Sequence, residues 1–185
     1  MARKREERPP RKMKPVYIVF CEGETEETYI HFLRQNYRSP IKIITNVMGN
    51  EITPDVVQKK IDDIKIFNGE NFTSFLMYDL DVRSVNLKLE KIAATKLLSN
   101  PCIELWFLLH SLKNPNSLTS AGCLQKLRQC GNEWKNYEKG RLTETQKKTL
   151  WNRRLEAVDN AKSLTEDANP SSTVFRLIEK LEKER

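Results

Sequence analysis

Hydrophobic residues along the chain keep two rhythms. Short, nearly continuous apolar runs stand at residues 16–21, 41–48, 72–78 and 93–98. Runs of that length suit strands covered on both faces, as in a parallel sheet. Between them, apolar residues recur three and four apart, the spacing of one helical face. Tyr29, Leu33 and Tyr37 form the first such stripe, with Thr25 as the expected N-cap and Glu26 and Glu27 in the first turn, where the helix dipole favours acids. Val57, Ile61 and Ile64 form the second, opened by Thr53-Pro54 and closed by Asn68-Gly69. Residues 83–92 read as a third helix. The order strand, helix, strand, helix, strand, helix, strand predicts an α/β fold with a mainly parallel sheet flanked by helices.

Beyond residue 100 the pattern turns helical. Residues 102–111 are strongly apolar after Asn100-Pro101, and Thr119 or Ser120 is placed to cap a helix reaching Cys130. Thr143 and Gln146 have capping-box spacing, and the helix they open is expected to run along Leu150, Trp151, Leu155, Val158 and Ala161. Asn169-Pro170-Ser171-Ser172 ends it, and Val174, Leu177, Ile178 and Leu181 stripe a last helix. The expected organisation is one domain over 15–185, with a core at about 15–111 and a helical C-terminal elaboration at about 112–185.

Charge adds a separate element. Of the net +7, +5 lies in residues 1–15, where Arg3, Lys4, Arg5, Arg8, Arg11, Lys12 and Lys14 stand against Glu6 and Glu7. Residues 1–14 therefore read as a flexible basic arm, either a nucleic-acid contact or a solubilising tail. The four cysteines form no C-x-x-C pair, which points to reduced thiols and an intracellular protein. No apolar run reaches membrane-span length and no signal-peptide core follows the N-terminal charges, so a cytoplasmic location without a membrane is expected. No G-x-x-x-x-G-K-[ST] is present, so any ATPase is a partner.

The candidate chemistry is acidic. Asp79 and Asp81 are two apart at the end of the third strand, pointing the same way roughly 7 Å apart. Glu22 ends the first strand. In open α/β sheets ligands bind at that carboxyl edge, and Mg2+ (or Mn2+) is the cation suited to convergent carboxylates. The plainer alternative is a solvated strand end and an ordinary acidic helix start. Glu104 lies in the apolar 102–109 run, where a carboxylate is costly without a metal or donor. Asn100 is placed to orient it, Glu24 to stand behind the metal ligands or only to favour the helix start, and His110 to be a satisfied histidine. Ser171, Ser172 and Thr173 precede a helix and suit phosphate binding or plain capping. Trp134, Lys135, Tyr137, Lys139 and Arg141 interleave aromatic and basic residues, suiting single-stranded nucleic acid or a loop packed on the domain.

Residues 15–25, PVYIVFCEGET, resemble the opening of Toprim-type domains, and Asp79-Leu80-Asp81 resembles the Toprim D-x-D. More specifically, residues 99–110, SNPCIELWFLLH, resemble the S-N-P-C-F-E-L-W-L-L-L-H signature of RloB-like proteins, and residues 169–174, NPSSTV, resemble that family's closing N-P-S-T-T-V. The likeness runs from about residue 14 to the end. It implies a Toprim-like sheet and a role in bacterial anti-phage defence, since the family includes the AbiLii abortive-infection group and its members tend to be encoded beside an ABC-type or OLD-like ATPase. Toprim nucleases in such systems cut nucleic acid with Mg2+. On that footing Glu22 is metal ligand or general base, Asp79 and Asp81 are metal ligands, and Glu104 joins the catalytic set. One departure stands out: Val82 and Arg83 follow Asp81, where the family usually continues D-R-D-D. The expected function is a Mg-dependent nuclease acting as a defence effector with a partner ATPase. The alternative is a catalytically silent Toprim-like adaptor that binds nucleic acid or the ATPase. Nucleotidyl transfer or strand passage is a third option, without the zinc or tyrosine modules those enzymes carry. DNA or RNA as target, and homo-oligomeric assembly, stay open.

Overall fold

Every residue of β1 (Val16–Cys21) is buried, because the strand has sheet neighbours at both edges and helices over both faces. It pairs in parallel with β2 (Lys42–Val47) and β3 (Phe72–Asp79), Val16 standing opposite both Lys42 and Phe72. β3 pairs in parallel with β4 (Thr95–Asn100), and β5 (Ser171–Ser172) closes the sheet antiparallel to β4. The strand order is 2-1-3-4-5. This computed structural model describes residues 16–37, 42–68 and 72–185; the basic arm expected at 1–14 lies outside the described residues.

Period-two alternation divides the core. Ile18, Phe20, Leu76 and Tyr78 pack with Val57 and Ile61 of α2 (Pro54–Asn68) and Val85 and Leu89 of α3 (Arg83–Glu90). Tyr17, Val19, Cys21, Phe75 and Met77 pack on the other face with α1 (Glu24–Tyr37) and the C-terminal helices. α4 (Ile103–Leu108) is buried at every position, which explains its unbroken apolar sequence. Trp106 of α4 donates its indole N–H to the Tyr29 hydroxyl at 2.7 Å, pinning α4 to α1.

The remaining elements are α5 (Ser120–Gln129), α6 (Glu144–Asn152), α7 (Arg154–Lys162) and α8 (Phe175–Lys183). Thr119 caps α5 by accepting from Gly122 N at 3.1 Å. The capping box at α6 has both its bonds, Gln146 N to Thr143 Oγ1 at 3.3 Å and Thr143 N to Gln146 Oε1 at 2.8 Å. The single helix expected after Thr143 is instead two, broken at Arg153, whose guanidinium donates to Glu156 and to Ser111 Oγ. The break turns Ala157, Val158 and Ala161 into the core and leaves Leu155, expected on the core stripe, 54% exposed.

Two further details correct the sequence reading. α1 begins at Glu24, so Thr25 lies inside it and is not the cap; its Oγ1 accepts from Gly140 N at 2.9 Å. Glu26 does the capping work by accepting from Gly23 N at 3.0 Å. β5 was not predicted, because two residues are too few to show a period.

The join of β5 to β4 yields a stability prediction. Thr173 Oγ1 accepts from Leu98 N at 2.8 Å and donates to Lys96 O at 3.1 Å. Thr173→Val keeps the shape but strands the Leu98 N–H, and should cost about 1–3 kcal/mol. Urea unfolding measures it; an unchanged midpoint would show that the hydroxyl does not carry this join.

Candidate functional site

The chain reverses its direction of travel across the sheet between β1 and β3, since β2 lies on one side of β1 and β3 on the other. Such a switch point leaves a crevice at the strands' carboxyl ends. Glu22, one residue past β1, sits at this carboxyl edge with its backbone fixed at both ends: its N–H donates to Met77 O at 3.0 Å, and its carbonyl accepts from Gly49 N at 3.0 Å. Gly49 adopts φ +53°, a left-handed conformation that favours glycine. The Glu22 carboxylate crosses to β3, where Oε2 accepts from Asp79 N at 2.8 Å.

Asp79 ends β3 on the same face as Phe75 and Met77, toward α1 and α4. Glu104, in the first turn of α4, is fully buried beside that edge. Its Oε1 accepts from the Tyr137 hydroxyl at 3.1 Å, and its Oε2 stands 3.6 Å from Lys139 Nζ. Tyr137 and Lys139 arrive on the loop after a 3₁₀ turn (Asn132–Trp134). Two bonds strap that loop to α1, Gly140 N to Thr25 Oγ1 and Thr28 Oγ1 to Gly140 O, both 2.9 Å. Gly140 holds φ +77°, and a Cβ there would stand 3.1 Å from Glu24 Oε2.

The acids at this edge act on one another. Burial pushes the Asp79 carboxyl up to about 9, reinforced by Glu26, Glu22, Glu104 and Asp81. Burial also raises Glu26, to about 6, despite its backbone hydrogen bonds, with Glu22 and Glu104 adding to the rise. Glu22 is raised by burial and by Asp81, against the pull of the Asp79 N–H and of Lys139. Burial works against the charge on Lys139, but Glu104, Cys102 and Asp79 outweigh it and hold the ammonium above its usual range. Asp79 Oδ1 and Glu104 Oε2 are buried without a hydrogen-bond partner. Glu104 Oε2 has the Lys139 ammonium at 3.6 Å, which leaves Asp79 Oδ1 as the oxygen that a bound cation would satisfy.

Glu22, Asp79 and Glu104, drawn from three separate parts of the sequence, thus meet at one edge, and Asp81 joins them electrostatically from an exposed position. Among the described residues, no group of three His, Cys, Asp or Glu side chains forms a ready-made metal cage. The oxygen donors nevertheless fit Mg2+ or Mn2+, which keep several waters and need few protein ligands. Glu22 and Asp79, with Asp81 nearby, are the residues that would hold such an ion. Glu24 is exposed at the start of α1. Asn100 donates to Asp167 O at 3.3 Å. Ser172 Oγ pairs with Ser99 Oγ at 3.1 Å, and Ser171, Ser172 and Thr173 are all buried at the sheet edge. His110 is buried against Trp106 O at 2.9 Å and lowered by burial to about 4, so it is neutral at ordinary pH. Trp134 and Tyr137 are buried in the core, which leaves no face for stacking on nucleic acid. The basic residues Arg3, Lys4, Arg5, Arg8, Arg11, Lys12 and Lys14 lie outside the described residues.

Sequence reasoning missed Glu26 as part of the cluster and Lys139 as its cation. The spacing of Gly23 and Glu26 signals a cap and nothing more. The apolar run around Glu104 signals that some donor must come, without saying which.

Asp79 gives a pH prediction. A carboxyl raised from 3.8 to about 9 on folding means that the folded state binds the extra proton. That contribution is fully present below about pH 4 and is lost as pH rises toward 9. In the presence of EDTA the parent should melt lower at pH 9 than at pH 6, and Asp79→Asn should flatten the difference. A parent with the same melting temperature at both pH values would refute the buried-proton account.

Compared with known families, residues 17–181, nearly the whole chain, match the family described as RloB-like protein. Comparison with curated proteins and with solved structures gave no match.

Proposed function

The chain belongs to the RloB-like family, and we propose that it is a Mg-dependent nuclease that hydrolyses phosphodiesters as the effector of a bacterial anti-phage, abortive-infection system. The observation that carries this reading is the buried Asp79 Oδ1, without a hydrogen-bond partner, in the acidic cluster at the sheet's switch point beside Glu22 and Glu104. An anionic phosphodiester would approach this acidic edge only with a cation in place, one that displaces the proton Asp79 holds near neutral pH.

Within that reading each residue has a task. Glu22 and Asp79 hold the ion, and the backbone bond between them fixes their relative position. When bound, Mg2+ or Mn2+ supplies Lewis acidity and a more acidic water. Hydrolysis forms a bond from a water oxygen to phosphorus and breaks the phosphorus–oxygen ester bond. One water proton goes to a carboxylate, and the departing ester oxygen takes a proton in turn. Glu26, at about 6, is poised near neutrality for such transfers. Tyr137 keeps Glu104 oriented toward the cluster.

The system-level parts of the proposal are a separate ABC-type or OLD-like ATPase as partner, DNA or RNA as substrate, the arm residues as backbone contacts, and the cytoplasm as location. Among the described residues no helix is long and apolar enough to cross a membrane. The second reading, a Toprim-like adaptor without chemistry, draws support from the exposure of Asp81 and from the missing three-residue cage among the described residues.

Metal titration separates the two. Mg2+ or Mn2+ binding only the folded state should stabilise the parent by about 2.7 kcal/mol at a hundredfold excess over its dissociation constant. Asp79→Asn should lose that response without melting lower than the metal-free parent. With Mg2+ the parent, alone or with its ATPase, should cut oligonucleotides, and Glu22→Gln should reduce the rate by at least about 100-fold. A parent that ignores both metals and cuts nothing would establish the adaptor.

A further inference from the structure

Lys139 is the feature of the site that the carboxylate chemistry does not use. Its side chain is 57% exposed, while that of its partner Glu104 is fully buried. The Nζ–Oε2 separation of 3.6 Å is longer than the 2.7–2.9 Å of a charge-assisted hydrogen bond. Other lysine pairs vary: Lys147 closes on Glu144 at 2.8 Å and Lys162 on Glu179 at 2.7 Å, while Lys65 stands 3.8 Å from Asp62. The Lys139 pair is thus a loose one, and Glu104 Oε1 already accepts from the Tyr137 hydroxyl. Lys139 stands at the mouth of the cluster with a partly exposed side chain and three donors, more than the one Glu104 oxygen beside it can use.

Its position is also built. The loop carrying it is anchored on one side by Tyr137, whose ring packs against Phe107 and Trp134 and whose hydroxyl reaches Glu104. On the other side Gly140 makes its two bonds to α1 and takes a backbone conformation that suits glycine. A residue clamped before and after in this way delivers its side chain to a fixed place. The long stem spans from the strap to the acids, and the charged head stays in water.

We propose that Lys139 is the substrate-contacting cation of this site, donating hydrogen bonds to a non-bridging oxygen of the phosphodiester held against the Glu22–Asp79–Glu104 edge. The carboxylates cannot do this themselves, since they repel phosphate. A point charge on a flexible stem suits one phosphate oxygen and leaves the bases unread. The contact implies a sequence-independent grip at the reacting group. This proposal rests on the nuclease reading for the identity of its ligand as a phosphodiester in nucleic acid.

The test compares full-length parent, Lys139→Met and Lys139→Arg, each checked for folding by thermal melting. Fluorescence anisotropy with labelled single-stranded DNA and RNA oligonucleotides, with Ca2+ replacing Mg2+ to block cleavage, gives affinity across about 50–200 mM salt. Lys139→Met should flatten the slope of log affinity against log salt by about 0.7, one phosphate contact on a single strand, and Lys139→Arg should restore it. Where Mg2+ supports cleavage, Lys139→Met should also slow it at least about tenfold. If Lys139→Met keeps the parent's slope and cleavage rate, the inference falls and the nuclease reading stands. If the parent binds neither oligonucleotide, both fall. If Lys139→Met melts far below the parent, the ammonium is structural, unless Lys139→Gln folds normally and shows the same lost slope.

Discussion

A carboxylate buried in an apolar helix is the constraint around which this site is organised. Glu104 sits where α4 is wrapped on all sides by sheet and helices, so its charge cannot reach water. The chain answers by sending a distant loop back across the molecule. Tyr137 and Lys139 supply a hydroxyl and an ammonium, and Thr25 and Thr28 of α1 hold the loop in place. Much of the C-terminal half is thereby tied to the N-terminal strands, through the acidic edge as well as through the core. The compensation is incomplete, because Glu104 Oε2 remains without a hydrogen bond.

The same incompleteness extends to Asp79, and it gives the edge its chemical character. A proton on Asp79 or a divalent cation beside it relieves the same repulsion, so the two compete for one place. Glu22 is drawn into this balance through the Asp79 N–H, and Glu26 through its proximity to both Glu22 and Glu104. Charge on Glu22 raises Glu26, and charge on both raises Asp79, so the protonation of these three is linked. That set stands at the switch point between β1 and β3, the edge where open α/β sheets take their ligands.

How much of this was legible beforehand varies by element. The parallel core was readable because burial on both faces leaves unbroken runs such as Val16–Cys21, and the capping box at Thr143 was readable because its two bonds depend only on local spacing. The break at Arg153 was not, since the residues on either side keep a helical rhythm and only the bonds of Arg153 to Ser111 and Glu156 show where it turns. β5 was invisible for a related reason: Ser171 and Ser172 have no strand signature, and their pairing exists because β4 offers them an edge. The aromatics at Trp134 and Tyr137 carried a pattern compatible with stacking on a ligand, and the core claimed them first.

The sequence by itself determined the alternation of strands and helices, the acids at the ends of the first and third strands, and the presence of one carboxylate in an apolar run. These follow from periodicity and composition, which act over a few residues. It also carried the motifs by which the family is recognised. The tertiary structure alone decided that Glu104 joins Glu22 and Asp79, that Glu26 shares their field, and that Lys139 is the cation they face. Those facts depend on which strands neighbour each other and on where a loop 35 residues beyond Glu104 comes to rest. Charge interactions act through space, and the distances that set them exist only once the chain has folded.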